Sequence, residues 1–444
     1  MSCPTGRRRA AALLPVRRLP WLPWLWLSLA LLVAGPLRPA LAAGTPEAQQ
    51  VERGRYLARI GNCAACHTAE GGKPFAGGLL IRTAVGTLHS TNITPDAANG
   101  IGAYTLAEFD RALRQGVARD GRRLYPAMPY PSYARMRADD VAALYAYLRA
   151  EVVPVAQRNP APQLRFPYGM RSLLSVWNLL FLDDDPVRIE PARGNAWNRG
   201  AYLVQAVAHC GACHTPRGRL FAEKGLDERS RHFLSGASVE GWSATNLTGD
   251  QVTGLGAWSR TDIAEFLRTG RNGHATSFGP MSTVISTATQ YMSQGDLDAV
   301  AAYLKSLPGA RGEDKPFRPD PATARQLHQG RFDLPGARQY AVFCMPCHGA
   351  DGRGFARVFP PLAGNPTVAD PDPASLINLL LDGAVTARVG TAATDYHMPG
   401  YGWTLDDQEL ASVLTFIRRG WGNRAGPVTE ADVAARRKAL ATQP

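Results

Sequence analysis

Six of the seven cysteines stand in three copies of one pentapeptide, Cys-x-x-Cys-His: Cys63-Ala64-Ala65-Cys66-His67, Cys210-Gly211-Ala212-Cys213-His214 and Cys344-Met345-Pro346-Cys347-His348. Two thiols three residues apart reach the two vinyl groups of one haem, and the histidine beside the second is placed to ligate its iron. The alternatives explain less. Structural zinc needs two separated pairs of ligands, and a redox dithiol sits near a βαβ pattern; neither requires a histidine to follow every time. A disulfide framework is unneeded in a chain of 444 residues, which can bury its own core. The expected cofactor is therefore covalent haem c in three copies, held by Cys63, Cys66, His67, Cys210, Cys213, His214, Cys344, Cys347 and His348, with the three histidines as iron ligands.

Iron held by histidine alone stays open to oxygen or peroxide. A second protein ligand closes it and leaves electron transfer, and a thioether there raises the reduction potential. Downstream of each motif a methionine stands just ahead of the last helical pattern: Met128 in Tyr125-Pro126-Ala127-Met128-Pro129, Met281 in Gly279-Pro280-Met281, and Met398 in His397-Met398-Pro399-Gly400-Tyr401. Methionine usually fills gaps in apolar cores. These three sit among prolines and glycines, where a stiff backbone would hold a ligand, and Met136, Met292 and His397 are their nearest competitors. No constellation built for bond-making accompanies them: there is no dinucleotide fingerprint and no nucleophile and base at recognisable spacing.

The elements that position these residues recur three times. Ahead of each motif runs a helical pattern, Val51, Tyr56, Leu57 and Ile60, then Tyr202, Leu203, Ala206 and Val207, then Tyr340, Ala341 and Phe343. At the far end a helix opens on acidic residues: Asp139 and Asp140 before Val141, Leu144 and Leu148; Asp296 before Leu297, Val300 and Leu304; Asp406 and Asp407 before Leu410, Val413, Leu414 and Ile417. Carboxylates suit a first helical turn, and the apolar spacing gives one buried face. Two such helices crossing would close a crevice. The stretches between them are rich in Gly, Pro and Asn, and loops of that length count against a compact fold unless a porphyrin supplies the missing core. Two stretches share a loop, Ser90-Thr91-Asn92-Ile93-Thr94-Pro95-Asp96 and Ala244-Thr245-Asn246-Leu247-Thr248-Gly249-Asp250. It is either a simple turn or a source of donors to haem, through Asn92, Asn246, Tyr104 or Trp258.

Residues 1–42 read as a secretory signal, with Arg7, Arg8, Arg9, Arg17 and Arg18 before an apolar run from Trp21 to Gly35 and Ala40-Leu41-Ala42 as the cleavage site. The formal charge of +12 includes six arginines up to Ala42 and no acidic residue there, so the mature chain is only modestly basic and nucleic acid is not an expected partner. The expected division is 43–160, 191–312 and 332–425 for three haem domains, 161–190 for an apolar linker, 313–331 for a second linker and 426–444 for a polar tail. Within the first linker, residues 166–182 are the most apolar stretch of the mature chain. They suit an interdomain strap or a peripheral surface for a membrane or partner.

This order of elements resembles the class I cytochrome c fold, all-α with loops wrapped on haem, in three tandem passes. Phe359-Pro360-Pro361-Leu362-Ala363-Gly364 resembles the cytochrome c segment whose proline carbonyl accepts the other ring proton of the proximal histidine. That implies Pro360 or Pro361 for His348; the second stretch has no such segment. More narrowly, the Thr-Asn-Ile-Thr-Pro-Asp loop, Tyr-Pro-Ala-Met-Pro-Tyr and Trp-Asn-Leu-Leu-Phe resemble the tri-haem cytochrome c subunits of bacterial membrane-bound alcohol, gluconate or sorbitol dehydrogenases. The resemblance implies electron relay from a quinoprotein or flavoprotein catalytic subunit to ubiquinone, at the periplasmic face of the inner membrane, with a small third subunit as an optional further partner. Substrate oxidation then lies on the partner. The competing roles are the electron-transfer subunit of a molybdenum aldehyde dehydrogenase or hydroxylase, a haem peroxidase, and a soluble carrier to a terminal oxidase.

Overall fold

The computed structural model describes residues 45–312, 315–390 and 395–442, so the leader-like segment and Cys3 lie outside the described residues. The structure is mostly helical, with three small antiparallel sheets of short strands among the described residues. Ahead of the motifs stand helix Pro46–Ile60, helix Gly194–Tyr202 continued by Leu203–Val207, and helix Ala337–Gln339 continued by Tyr340–Cys344. Both continuations have π-type hydrogen bonding, a rare widening that recurs at functional sites. The far-end helices are Ala138–Ala150, Gln294–Lys305 and Asp407–Arg419. The second and third are capped by side chains. Ser293 Oγ accepts the Asp296 N–H at 3.1 Å, and Asp406 and Glu409 exchange side-chain and backbone bonds in a capping box.

In each pass the leading helix meets the far-end helix at a glycine. A Cβ on Gly54 would lie 1.9 Å from the Ala143 carbonyl oxygen, one on Gly200 2.0 Å from that of Ala299, and one on Gly336 2.3 Å from that of Ser412. Backbone therefore packs on backbone, and no side chain fits between. Gly200→Val is expected to cost about 3 kcal/mol or more of folding stability. Guanidinium titration of the haem-loaded protein, compared with exposed Gly295→Ala, checks it.

The first two glycines belong to a repeated phrase, Arg53-Gly54-Arg55-Tyr56 and Arg199-Gly200-Ala201-Tyr202. Each arginine pairs with the far-end helix of its own pass: Arg53 with Asp140 at 2.6 Å, Arg199 with Asp296 at 2.8 Å. Each tyrosine reaches the other pass. Tyr56 OH donates to Asp296 at 2.7 Å and Tyr202 OH donates to Asp140 at 2.5 Å. The exchange is reciprocal, like the isologous contact of a two-fold dimer built inside one chain. Around it Leu57, Ile60 and Leu144 form one continuous core with Leu203, Val204 and Leu297, while the third pass keeps a separate core about Leu380, Leu410, Leu414 and Trp421.

Desolvation pushes the Asp296 carboxyl up, but the hydrogen bonds from Arg199 and Tyr56 outweigh it and hold the group below the usual carboxylate range. A carboxyl depressed in the folded state contributes stability above its unfolded pKa, and that contribution is lost as pH falls through the folded value. Asp296→Asn is thus expected to cost about 1–3 kcal/mol at neutral pH. The gap to the parent, followed by denaturant titration, closes as the pH falls through and below the ordinary carboxylate range.

Helices also stand in the stretches expected as loops, among them Gly279–Thr287, Ala374–Asp382, Leu106–Gln115 and Arg260–Thr269, the last two each opened by a capping box, Thr105 with Glu108 and Ser259 with Asp262. The segment expected as a polar tail contains helix Glu430–Ala441, docked through fully buried Val433 and through Arg437 to Asp407 at 2.7 Å.

Candidate functional site: three histidine and cysteine turns

Each motif forms a short helical turn, Cys63–Cys66, Gly211–His214 and Met345–His348, at the end of the leading helix. None of these six cysteines is paired in a disulfide. Cys66 and Cys213 are exposed and the other four are more enclosed. Desolvation pushes the Cys63, Cys210 and Cys344 thiols up to about 12. That environment is the reverse of the one that makes a thiolate for metal binding or dithiol exchange. Among the described residues no three His, Cys, Asp or Glu side chains converge to hold a metal ion by themselves.

The three imidazoles share one geometry. His67 Nδ1 lies 2.7 Å from the Thr91 carbonyl, His214 Nδ1 2.7 Å from the Thr245 carbonyl, and His348 Nδ1 3.0 Å from the Pro360 carbonyl. A carbonyl only accepts, so Nδ1 carries the proton and Nε2 keeps its lone pair for a metal. Desolvation also holds all three rings below the ordinary histidine value, against the pull of those carbonyls, which favours the neutral ligand form. This donor set, two thiols on a turn and a neutral imidazole fixed through its far nitrogen, fits haem c.

The repeated loop does the same task as the proline segment. Asn92 Oδ1 accepts from the Thr94 N–H at 2.9 Å and Thr94 Oγ1 at 2.7 Å; Asn246 Oδ1 accepts from the Thr248 N–H at 2.8 Å and Thr248 Oγ1 at 2.7 Å. The amide nitrogens are also engaged, Asn92 with the Val155 and Gln157 carbonyls and Asn246 with Asp250. Both asparagines are therefore spent on fixing a turn that aims the preceding carbonyl at a histidine. The expectation of asparagine donors to haem gives way to that arrangement.

A profile of the Cytochrome c family matches residues 51–150, 198–308 and 334–421, three stretches that each contain one of these turns. The chain belongs to the cytochrome c family. It is 48% identical over 399 residues to the cytochrome c subunit of alcohol dehydrogenase (quinone) from Gluconacetobacter polyoxogenes, covering 88% of this chain and 85% of the relative. It is 45% identical over 419 residues to the gluconate 2-dehydrogenase cytochrome c subunit of Pantoea cypripedii, covering 93% and 95%. The fructose dehydrogenase cytochrome subunit of Gluconobacter japonicus is 36% identical over 421 residues, covering 89% and 84%. Membership carries covalent haem c with it.

The methionines of this cytochrome sort by burial. Met136 and Met292 are 1% and 3% exposed inside the shared core. Met128, Met281 and Met398 are half-buried at core margins. Met128 closes the turn from Tyr125 and borders the core that Cys63 and Cys210 also border. Met398 sits in strand His397–Pro399, paired with Gly383–Val385, and borders the third core that Phe343 and Tyr401 also border. Met281 lies in the first turn of helix Gly279–Thr287 and packs near Ile285, Ala387 and Val389, a small cluster shared with the third pass. His397 is exposed.

Sequence reasoning missed Glu223. Its carboxylate lies against the second motif, where a Cβ on Gly211 would come 2.6 Å from Oε2. Desolvation holds it up at about 7, against Arg217 at 4.0 Å. A lone glutamate after a glycine-rich turn offers no periodic signal from which this burial could be read.

Proposed function

We propose that this cytochrome is a tri-haem electron relay, built as three tandem haem-wrapping domains over 43–160, 191–312 and 332–425. It takes electrons from a periplasmic quinoprotein or flavoprotein dehydrogenase acting on an alcohol, sugar or sugar acid, and passes them to membrane ubiquinone. The observation that carries this is the threefold recurrence of one imidazole geometry, His67, His214 and His348 each locked through Nδ1 on a backbone carbonyl. Each haem would supply a single-electron couple, and the chain's own residues hold and tune it. Paired cysteines tether the group, the fixed ring gives a constant proximal ligand, and Met128, Met281 and Met398 are proposed as the distal thioethers that close the iron. Closed irons transfer electrons without opening a site to peroxide. A location at the periplasmic face of the inner membrane belongs to the same proposal, supported by the leader expected over residues 1–42, since an exported compartment suits haem attachment.

Purification of the native complex from the membrane fraction tests this. A co-purifying dehydrogenase should reduce all haem on addition of its substrate, and a ubiquinone analogue should reoxidise it. A partner with a molybdenum cofactor would replace the dehydrogenase class proposed, and retention of the cytochrome in the soluble fraction without a partner would overturn the relay.

A further inference from the structure

Asn62 and His209, which stand directly before Cys63 and Cys210, both have left-handed backbones, with φ of 56° and 40°. Residues other than glycine rarely take that conformation, and asparagine and histidine are among those that tolerate it. Each reversal stands between the end of the leading helix and the motif turn. The third pass lacks it. Phe343, which precedes Cys344, stays inside the helical continuation Tyr340–Cys344, and its carbonyl accepts from Tyr401 OH of the same pass at 2.9 Å.

At these two kinks the first and second passes hold one another. His209 Nε2 lies 3.3 Å from the carbonyl of Gly61, two residues before Cys63. A carbonyl only accepts, so Nε2 carries the proton, and desolvation keeps the ring below the ordinary histidine value and hence neutral. Tyr133 OH, also at 3.3 Å, donates to the same carbonyl, and its ring meets that of His209 edge-on at 5.5 Å. In the opposite direction Asn62 Oδ1 accepts from Thr287 Oγ1 at 2.7 Å, at the end of the helix that carries Met281. A Cβ on Gly61 would come 3.3 Å from the Val207 carbonyl oxygen and 3.9 Å from the Cys63 sulfur, so the second leading helix packs directly behind the first motif.

We propose that His209 is a positioning residue that fixes the first and second haems as one electron-exchanging pair. One covalent tether begins at Cys210, next to His209, and the other at Cys63, two residues from Gly61. A shift at the joint therefore reaches both porphyrins through a few stiff peptide units. Electron exchange falls steeply as the centres separate. Charge on either iron also shifts the potential of the other, by a coupling that is reciprocal and depends on their spacing. A pair that holds two electrons at a set distance suits an acceptor such as a quinone, which takes two electrons and two protons to become a quinol. The proposal rests on the relay reading, with haem at each of the first two motifs.

Pulsed dipolar EPR of the fully oxidised, haem-loaded chain tests it, beside flash photoreduction that follows electrons moving between haems. A Cys344→Ala, Cys347→Ala background, without the third haem, identifies the distance between the first two irons. His209→Asn keeps a residue that tolerates the left-handed backbone, as Asn62 does, but its amide is too short to reach Gly61. It should broaden that distance and slow exchange between the two haems, with covalent attachment complete. His209→Gln sets an amide N–H where Nε2 stands and should restore both readouts. A distance and exchange rate in His209→Asn that match the parent's would overturn the pairing and leave the relay intact. Equal broadening in both variants, or incomplete haem attachment in His209→Asn, would make the residue one of packing or maturation and overturn it as well. A parent chain with no haem at one of the first two motifs would instead overturn the relay reading itself.

Discussion

A chain carrying Cys344→Ala and Cys347→Ala is expected to mature with one haem fewer, its haem content per polypeptide falling to about two-thirds of the parent's. The third motif is the informative one to remove because its surroundings are separable. Leu380, Leu410, Leu414 and Trp421 form a core apart from the one shared by the first two passes. Loss of the third haem should therefore leave the reciprocal contacts of Tyr56 with Asp296 and Tyr202 with Asp140 in place. The local cost falls on half-buried Phe343, Leu362, Met398 and Tyr401, which border the third core. Haem-stained gels and the mass of the denatured protein measure attachment directly. Unchanged content would remove the third motif from the attachment sites, and loss of all colour would mean that the passes fold as one unit.

Both the motif turns and the crossing helices were legible, because thioether chemistry constrains spacing and a buried helical face constrains period. A proline carbonyl for His348 was legible through resemblance, as Pro360 or Pro361, and it is that of Pro360 that stands 3.0 Å from His348 Nδ1. Its equivalents at Thr91 and Thr245 were not, since a backbone carbonyl leaves no mark on residue identity. Only the asparagines that fix the turn are visible, and they read equally well as donors to a ligand. The helices Leu106–Gln115 and Arg260–Thr269 were legible too, since Leu106, Phe109 and Leu113, and Ile263, Phe266 and Leu267, stand at helical spacing behind the capping boxes Thr105-Leu106-Ala107-Glu108 and Ser259-Arg260-Thr261-Asp262; the Gly, Pro and Asn of the flanking turns masked them. Of the Arg-Gly-x-Tyr phrase, only the tyrosines stood out, as apolar positions of the leading helices. What it does was hidden, because each arginine serves its own pass and each tyrosine the other, and one-dimensional similarity cannot distinguish these.

Met128→Ala and Met398→Ala should each lower the potential of one haem by on the order of 0.1–0.3 V, within the ~0.8 V that axial ligands span. Covalent attachment should stay complete, because the cysteines and proximal histidine are untouched. The control lies in the same sequence neighbourhood. Met136 and Met292 also precede far-end helices, but they are buried in the shared core. Their alanine variants should cost about 2–5 kcal/mol of stability and leave all potentials alone. The two pairs thus move opposite readouts, redox titration in one case and denaturant midpoint in the other. Met281→Ala decides the second haem. Its helix packs against Ala387 and Val389 of the third pass as well as its own, so a fall in one potential marks a ligand, and a loss of stability alone marks an interdomain contact. Redox titrations of all three variants that overlay the parent would end the thioether assignment and leave irons open to exogenous ligands such as cyanide.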